Sequence, residues 1–141
     1  MPPRFVDASV FVHAYLKPRR DLRPPEVAIK KRARAIVTRI SKGEQVLLST
    51  VHFAEIANLL EDWMALSEAR TILFALATME NIRILPVART DLVEALDLAT
   101  ERDVGTTDAL AVILMQAEAT REIYSFDRDY DRFNEIRRVG A

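Results

Sequence analysis

The sequence has no cysteine, and of its 141 residues only three are glycine and two histidine. The first absence excludes disulfides and thiolate metal sites and fits a reducing compartment, so a cytoplasmic protein is the expectation. Few glycines, with no run of them after the first strand-like segment, leave no loop to cradle a nucleotide phosphate. The two histidines, His13 and His52, are too few for an imidazole-rich metal centre. The longest apolar run, residues 109–115, is far too short to cross a bilayer. The N-terminal MPPRFVDAS lacks the apolar stretch of a secretion signal. What is present is an ordinary globular balance, half apolar and 29% charged, at a length that suits one domain over 1–141. The charge is unevenly spread. Residues 17–34 carry eight basic and two acidic side chains, a balance of +6, which leaves −7 on the rest of a chain whose net charge is −1. A basic arm on an acidic body is either a polyanion contact or a solvated helix face with its entry loop.

Periodicity alternates along the chain. Short apolar runs at 4–9, 45–50, 81–87 and 122–126 read as buried strands, and 134–140 as a short fifth at an edge. Apolar residues recurring every three or four positions predict helices over about 25–42, 51–63, 67–79, 89–103 and 107–119, after a first one through 10–16. Pro25 suits a first helical turn, Gly43 a helix end, and Ser67 and Thr106 are candidate caps. Strands that are continuously apolar and separated by helices predict an α/β fold with a parallel sheet of four to five strands covered on both faces. Ligands of such sheets bind beyond the carboxyl ends of the strands, where the strand order reverses.

Four acids fall at equivalent places on that edge. Asp7 and Asp127 end the first and fourth strands; Glu55 and Asp108 lie near the starts of helices that face the same crevice. Taken singly, Asp108 and Glu55 are ordinary helix-start acids and Asp127 an ordinary turn cap, whereas a lone Asp such as Asp7 at the end of a buried strand seldom has a packing role. Gathered together, they repel. Two carboxylates about 4 Å apart cost on the order of 4 kcal/mol near a protein surface, and a helix N-terminus returns only roughly 0.3 to 1 kcal/mol per acid. Protonation or a bound cation must supply the rest, and oxygen-only donors select a hard ion, Mg²⁺ or Mn²⁺.

With these positions in view, RFVDASVF, STVHFAEIANLL, GTTDALAVILMQAE and IYSFDRDYDRF resemble, in order, the four acidic motifs of PIN-domain ribonucleases, most of all the VapC-type toxins of toxin–antitoxin pairs. The resemblance covers nearly the whole chain. It implies a PIN-like α/β/α sandwich and metal-dependent hydrolysis of RNA phosphodiesters, leaving 5′-phosphate and 3′-hydroxyl ends. It carries the catalytic acids onto Asp7, Glu55, Asp108 and Asp127, with Asp7, Asp108 and Asp127 as metal ligands and Glu55 or a second ion positioning water. Asp129 stands two residues past the usual fourth acid and is a supporting candidate; Asp131 is expected to face solvent. Ser9 and Thr107 match hydroxyl residues that line such sites, and Asn58 lies one turn beyond Glu55.

An acidic pocket needs cations at its rim to hold RNA. Arg128 adjoins Asp127, and Lys17, Arg19 and Arg20 follow the helix that leaves Asp7. The resemblance implies two protein partners: a small antitoxin whose tail blocks the groove, and a second copy of the chain, for which residues 59–66 with Trp63 are a candidate face. His13 reads as a packed or edge residue. His52, three residues before Glu55, ranks below the acids. Competing folds fit less well. A haloacid-dehalogenase-type phosphatase wants Asp at position 9, which is Ser, and a response-regulator receiver wants a late lysine, but none follows Lys42. The alternatives within the family are an RNA-processing nuclease outside any toxin pair and a non-catalytic relative that binds RNA or protein, whose hallmark is lost acids; none of the four is lost here.

Overall fold

In the computed structural model, which describes residues 2–140, short strands and longer helices alternate. The order is β1 (Arg4–Val6), α1 (Ala8–Tyr15), α2 (Pro24–Ser41), β2 (Val46–Ser49), α3 (Thr50–Trp63), α4 (Leu66–Thr78), β3 (Ile82–Leu85), α5 (Arg89–Arg102), α6 (Thr106–Ala117), β4 (Glu122–Tyr124), a 3₁₀ turn (Arg128–Arg132) and β5 (Arg137–Val139). All five strands are parallel in the order β3-β2-β1-β4-β5, with Phe5 opposite both Leu47 and Ile123. From β1 the chain goes to β2 on one side and later returns to β4 on the other. The crevice at the carboxyl ends of β1 and β4 is therefore the switch point of the sheet.

Each sheet face buries its own core. Successive strand residues point to opposite faces, so Phe5, Leu47 and Leu85 pack beneath α5 and α6, while Val6, Val46, Leu48 and Ile82 pack beneath α1 to α4. Helix α6 is the most deeply set, burying Ala109, Leu110, Ala111, Val112, Leu114 and Met115. Its alanines let the helix approach the strands closely, and its larger side chains each contribute roughly 1.5–3 kcal/mol by leaving water. The α/β/α sandwich expected from the sequence is the fold observed.

Differences from the sequence reading sit at element ends. The first strand stops at Val6: Asp7 still donates its N–H to the Tyr124 carbonyl at 2.9 Å, while its side chain caps α1. Ser67 and Thr106 do not cap: α4 and α6 start after Ala65 and Gly105, neither of which contributes a side-chain cap. Gly140, in the left-handed region at φ +94°, has the one backbone position where an added Cβ would collide, 2.8 Å from Ile36 Cδ1. Among the described residues no helix is long and apolar enough to cross a membrane.

Candidate active site

Asp7 follows β1 directly and is almost completely buried. Its Oδ2 accepts from Ser125 Oγ at 2.9 Å and from the Ser9 backbone N–H at 3.4 Å, and its Oδ1 accepts from the Tyr130 hydroxyl at 3.2 Å. Ser125, fully buried just past β4, also accepts from the Asp127 N–H at 3.0 Å. Ser9 Oγ accepts from the Phe126 N–H at 3.1 Å. Two serines thus fasten the end of β1 to the end of β4, bringing together acids more than a hundred residues apart in sequence.

The segment after β4 turns back on itself. Asp127 Oδ1 accepts from the Asp129 N–H at 2.9 Å, the capping bond of the 3₁₀ turn. That turn sets the Asp129 carboxylate beside that of Asp127, and Asp108 comes from the first turn of α6. One oxygen from each of Asp108, Asp127 and Asp129 lies within 4.8 Å of the others. Asp129, placed by sequence only as a supporting residue, belongs to this closest triplet. Asp7 is not one of the three; it lies behind them, its charge felt by both Asp108 and Glu55. Asp131 is exposed as expected, and it is paired with Arg138 at 3.0 Å.

Burial and mutual repulsion show in the acid strengths. Partial burial, reinforced by the charges of Asp127 and Asp7, lifts the Asp108 carboxyl to about 7, with the Tyr130 hydroxyl pulling the other way. Glu55, in the second turn of α3, is likewise raised, by burial first and by Asp7 next, while the nearby Thr107 side chain opposes the rise. Burial among Asp7, Asp108 and Glu55 drives the Tyr130 phenol well above its ordinary range, so it acts only as a hydrogen-bond donor and neutral acceptor. The donor set is entirely carboxylate oxygen, and burial together with repulsion within it raises the Asp108 carboxyl to about 7. That combination fits a hard divalent ion such as Mg²⁺ or Mn²⁺.

His52 takes no part in the cluster. It is fully buried, its Nε2–H donates to the Thr107 carbonyl at 2.9 Å, and its Nδ1 accepts from Ser49 Oγ at 2.5 Å. A carbonyl only accepts, so this arrangement fixes the tautomer, and burial depresses the basicity of the ring. The side chain ties α3 to the start of α6 and packs edge-on against Phe5 at 5.1 Å. His13 lies at the edge, its ring perpendicular to Phe126 at 5.6 Å.

The remaining candidates lie around the rim. Thr107 and Asn58 are exposed, and so are Lys17, Arg19, Arg20 and Arg128. Arg20 is bound to Glu26 through two hydrogen bonds, the shorter 2.8 Å, and Arg19 lies 4.3 Å over the ring of Trp63. Lys30, in the basic arm, donates to the carbonyls of His13 and Leu16 and so caps the end of α1. Part of the +6 stretch is therefore spent on structure. Sequence reasoning missed Ser125 and Tyr130. The signal for Ser125 was present: a hydroxyl residue inside an otherwise apolar run at a strand end. Nothing in the pattern distinguished the Tyr130 hydroxyl from an ordinary core aromatic.

The family model for the PIN domain matches residues 4–136. A comparison with curated proteins finds no match. Among solved structures the fold is similar to that of Mycobacterium tuberculosis VapC20, a toxin that cleaves the sarcin–ricin loop, with a TM-score of 0.70 at 22% identity over 94% of this chain and 98% of that one.

Proposed function

The chain belongs to the PIN-domain family, and from that premise we propose that it is a Mg²⁺- or Mn²⁺-dependent ribonuclease, the toxin of a toxin–antitoxin pair. The observation that carries this reading is the convergence of Asp108, Asp127 and Asp129 at the sheet's switch point, with Asp7 and Glu55 beside them. A non-catalytic family member has no need for acids gathered so that burial and their neighbours' charges raise the pKa of Asp108 and Glu55.

Asp108, Asp127 and Asp129 would hold the ion directly, with Asp7 adding charge from behind, or ligating through the lone pairs its three donors leave free. When bound, a divalent ion polarises a phosphoryl oxygen and acidifies the attacking water. The rest falls to the protein. Ser125 and Tyr130 fix Asp7, so the field at the centre is set before substrate arrives. Glu55, with its carboxyl raised above the usual range, is suited to take a proton from water and release it afterwards. Arg128, Lys17 and Arg19 offer phosphate contacts at the rim, which add affinity without reading sequence.

VapC20 supports the toxin assignment through its fold and its described activity. An RNA carrying the sarcin–ricin loop is accordingly the substrate to try first. The partners proposed are a small antitoxin that blocks the groove and a second copy of the chain. The test is cleavage of total RNA with Mg²⁺, Mn²⁺ or EDTA, beside Asp7→Asn. Metal-dependent cleavage that falls at least a hundredfold in the variant, about 3 kcal/mol of transition-state stabilisation, is expected. Undiminished cleavage in EDTA or by Asp7→Asn refutes the mechanism. Growth arrest on expression, relieved by a small adjacent reading frame, separates a toxin from an RNA-processing nuclease.

A further inference from the structure

Tyr130 is an unusual occupant of its position. Its ring is part of the core beneath α5 and α6, yet its hydroxyl emerges at the floor of the acidic cluster and donates to Asp7 Oδ1 at 3.2 Å. A phenylalanine would fill the same volume, so packing alone does not call for the oxygen. A second donor, Ser125 Oγ, takes the other carboxylate oxygen at 2.9 Å. With one side-chain donor on each oxygen, rotation of the Asp7 carboxylate about its Cβ–Cγ bond breaks at least one bond. Ser125 also fixes the Asp127 N–H, so it orients two acids. The Tyr130 hydroxyl donates to Asp7 and also bears on the neighbouring Asp108 carboxyl.

We infer that Tyr130 is a positioning residue for the metal centre: its hydroxyl locks the Asp7 carboxylate in the orientation that directs its free lone pairs toward the ion. This rests on the nuclease reading above only for the presence of a divalent ion, not for the identity of the RNA. Hydrogen bonds that orient metal-site carboxylates are worth about ten- to a hundredfold in metal affinity.

Tyr130→Phe tests it, because the variant removes one oxygen and keeps the ring. Mn²⁺ binding, followed by the loss of the free-ion electron paramagnetic resonance signal, is expected to weaken about tenfold. Cleavage at limiting Mn²⁺ should fall in step and recover at saturating Mn²⁺, a split that a general packing defect would not give. Equal Mn²⁺ affinity in wild type and variant overturns the role of Tyr130 while leaving the nuclease reading intact. Wild-type protein that binds no Mn²⁺ overturns both. Wild-type protein that binds Mn²⁺ but cleaves no RNA refutes the nuclease reading alone. Should Tyr130→Phe melt early, wild-type protein with ¹³C-labelled tyrosine supplies the second measurement. The Tyr130 Cζ resonance is expected to move on adding Mg²⁺ and to stay fixed in Asp7→Asn; a resonance that ignores Mg²⁺ in the wild type also overturns the proposal.

Discussion

Asp108→Asn should make the metal-free protein more stable while disabling it. The carboxyl usually titrates near 3.8 and is lifted to about 7 in the folded chain. Because the folded pKa lies above the unfolded one, the native state binds the proton more tightly, and ionising Asp108 works against folding. Its contribution is most favourable below about pH 4 and is lost as pH rises from about 4 to 7. Taken at face value the gap corresponds to about 4 kcal/mol, but the side chain is substantially open to water, and screening reduces this to on the order of 1–2 kcal/mol. Asparagine keeps the shape and removes the charge. In EDTA at pH 8 the variant should therefore melt higher by about 3–6 °C for a chain of this size. The difference should shrink as pH falls toward 4. Taking variant against wild type at each pH cancels the buried-histidine contribution, whose sign is opposite. Mg²⁺ at pH 8 should raise the wild type and leave the variant nearly unmoved, closing the gap. Differential scanning calorimetry across pH 4–8, with and without Mg²⁺, reads all of this. A variant less stable than wild type at pH 8 in EDTA, or a gain that does not change with pH, refutes the claim that burial and mutual repulsion load this site.

Other outcomes follow from the same geometry. His52→Ala removes a buried ring and leaves the Ser49 hydroxyl and Thr107 carbonyl short of a partner. Urea unfolding should show a loss of about 2–4 kcal/mol, with residual nuclease activity in the protein that remains folded. Lys17→Ala should weaken RNA binding and flatten its salt dependence by somewhat under one unit of slope. Arg20→Ala, whose guanidinium is already held by Glu26, should do less; filter binding with the Asp7→Asn background compares them. Gly140→Ala places a Cβ at a positive φ against Ile36 Cδ1, and thermal melting should show a loss of about 1–2 kcal/mol.

The layered fold was legible because apolar periodicity switches cleanly between strand and helix, and because α6 and the central strands are apolar on nearly every side. Element ends were not, since caps depend on backbone direction: Asp7 reads as the last residue of a strand but spends its side chain on the helix that follows. The acids at the carboxyl edge were legible from order and spacing alone. Their grouping was not. Asp129 enters the closest triplet because a 3₁₀ turn bends residues 127–129 back on themselves, and no periodicity announces such a turn. Tyr130 was invisible for a related reason: a buried tyrosine reveals the direction of its hydroxyl only once the core around it is packed. The basic arm divided in a way composition cannot show, with Lys30 and Arg20 bound to the protein itself.

The strand that completes the site is made long after the one that begins it. Asp7 meets Ser125 across a sequence separation of 118 residues, and Asp127 and Asp129 come later still. A ribosome-tethered polypeptide that has not yet released β4 carries Asp7, Glu55 and Asp108 without the Ser125 bond that holds Asp7 in place. The full set of acids therefore comes together only once β4 has paired with β1.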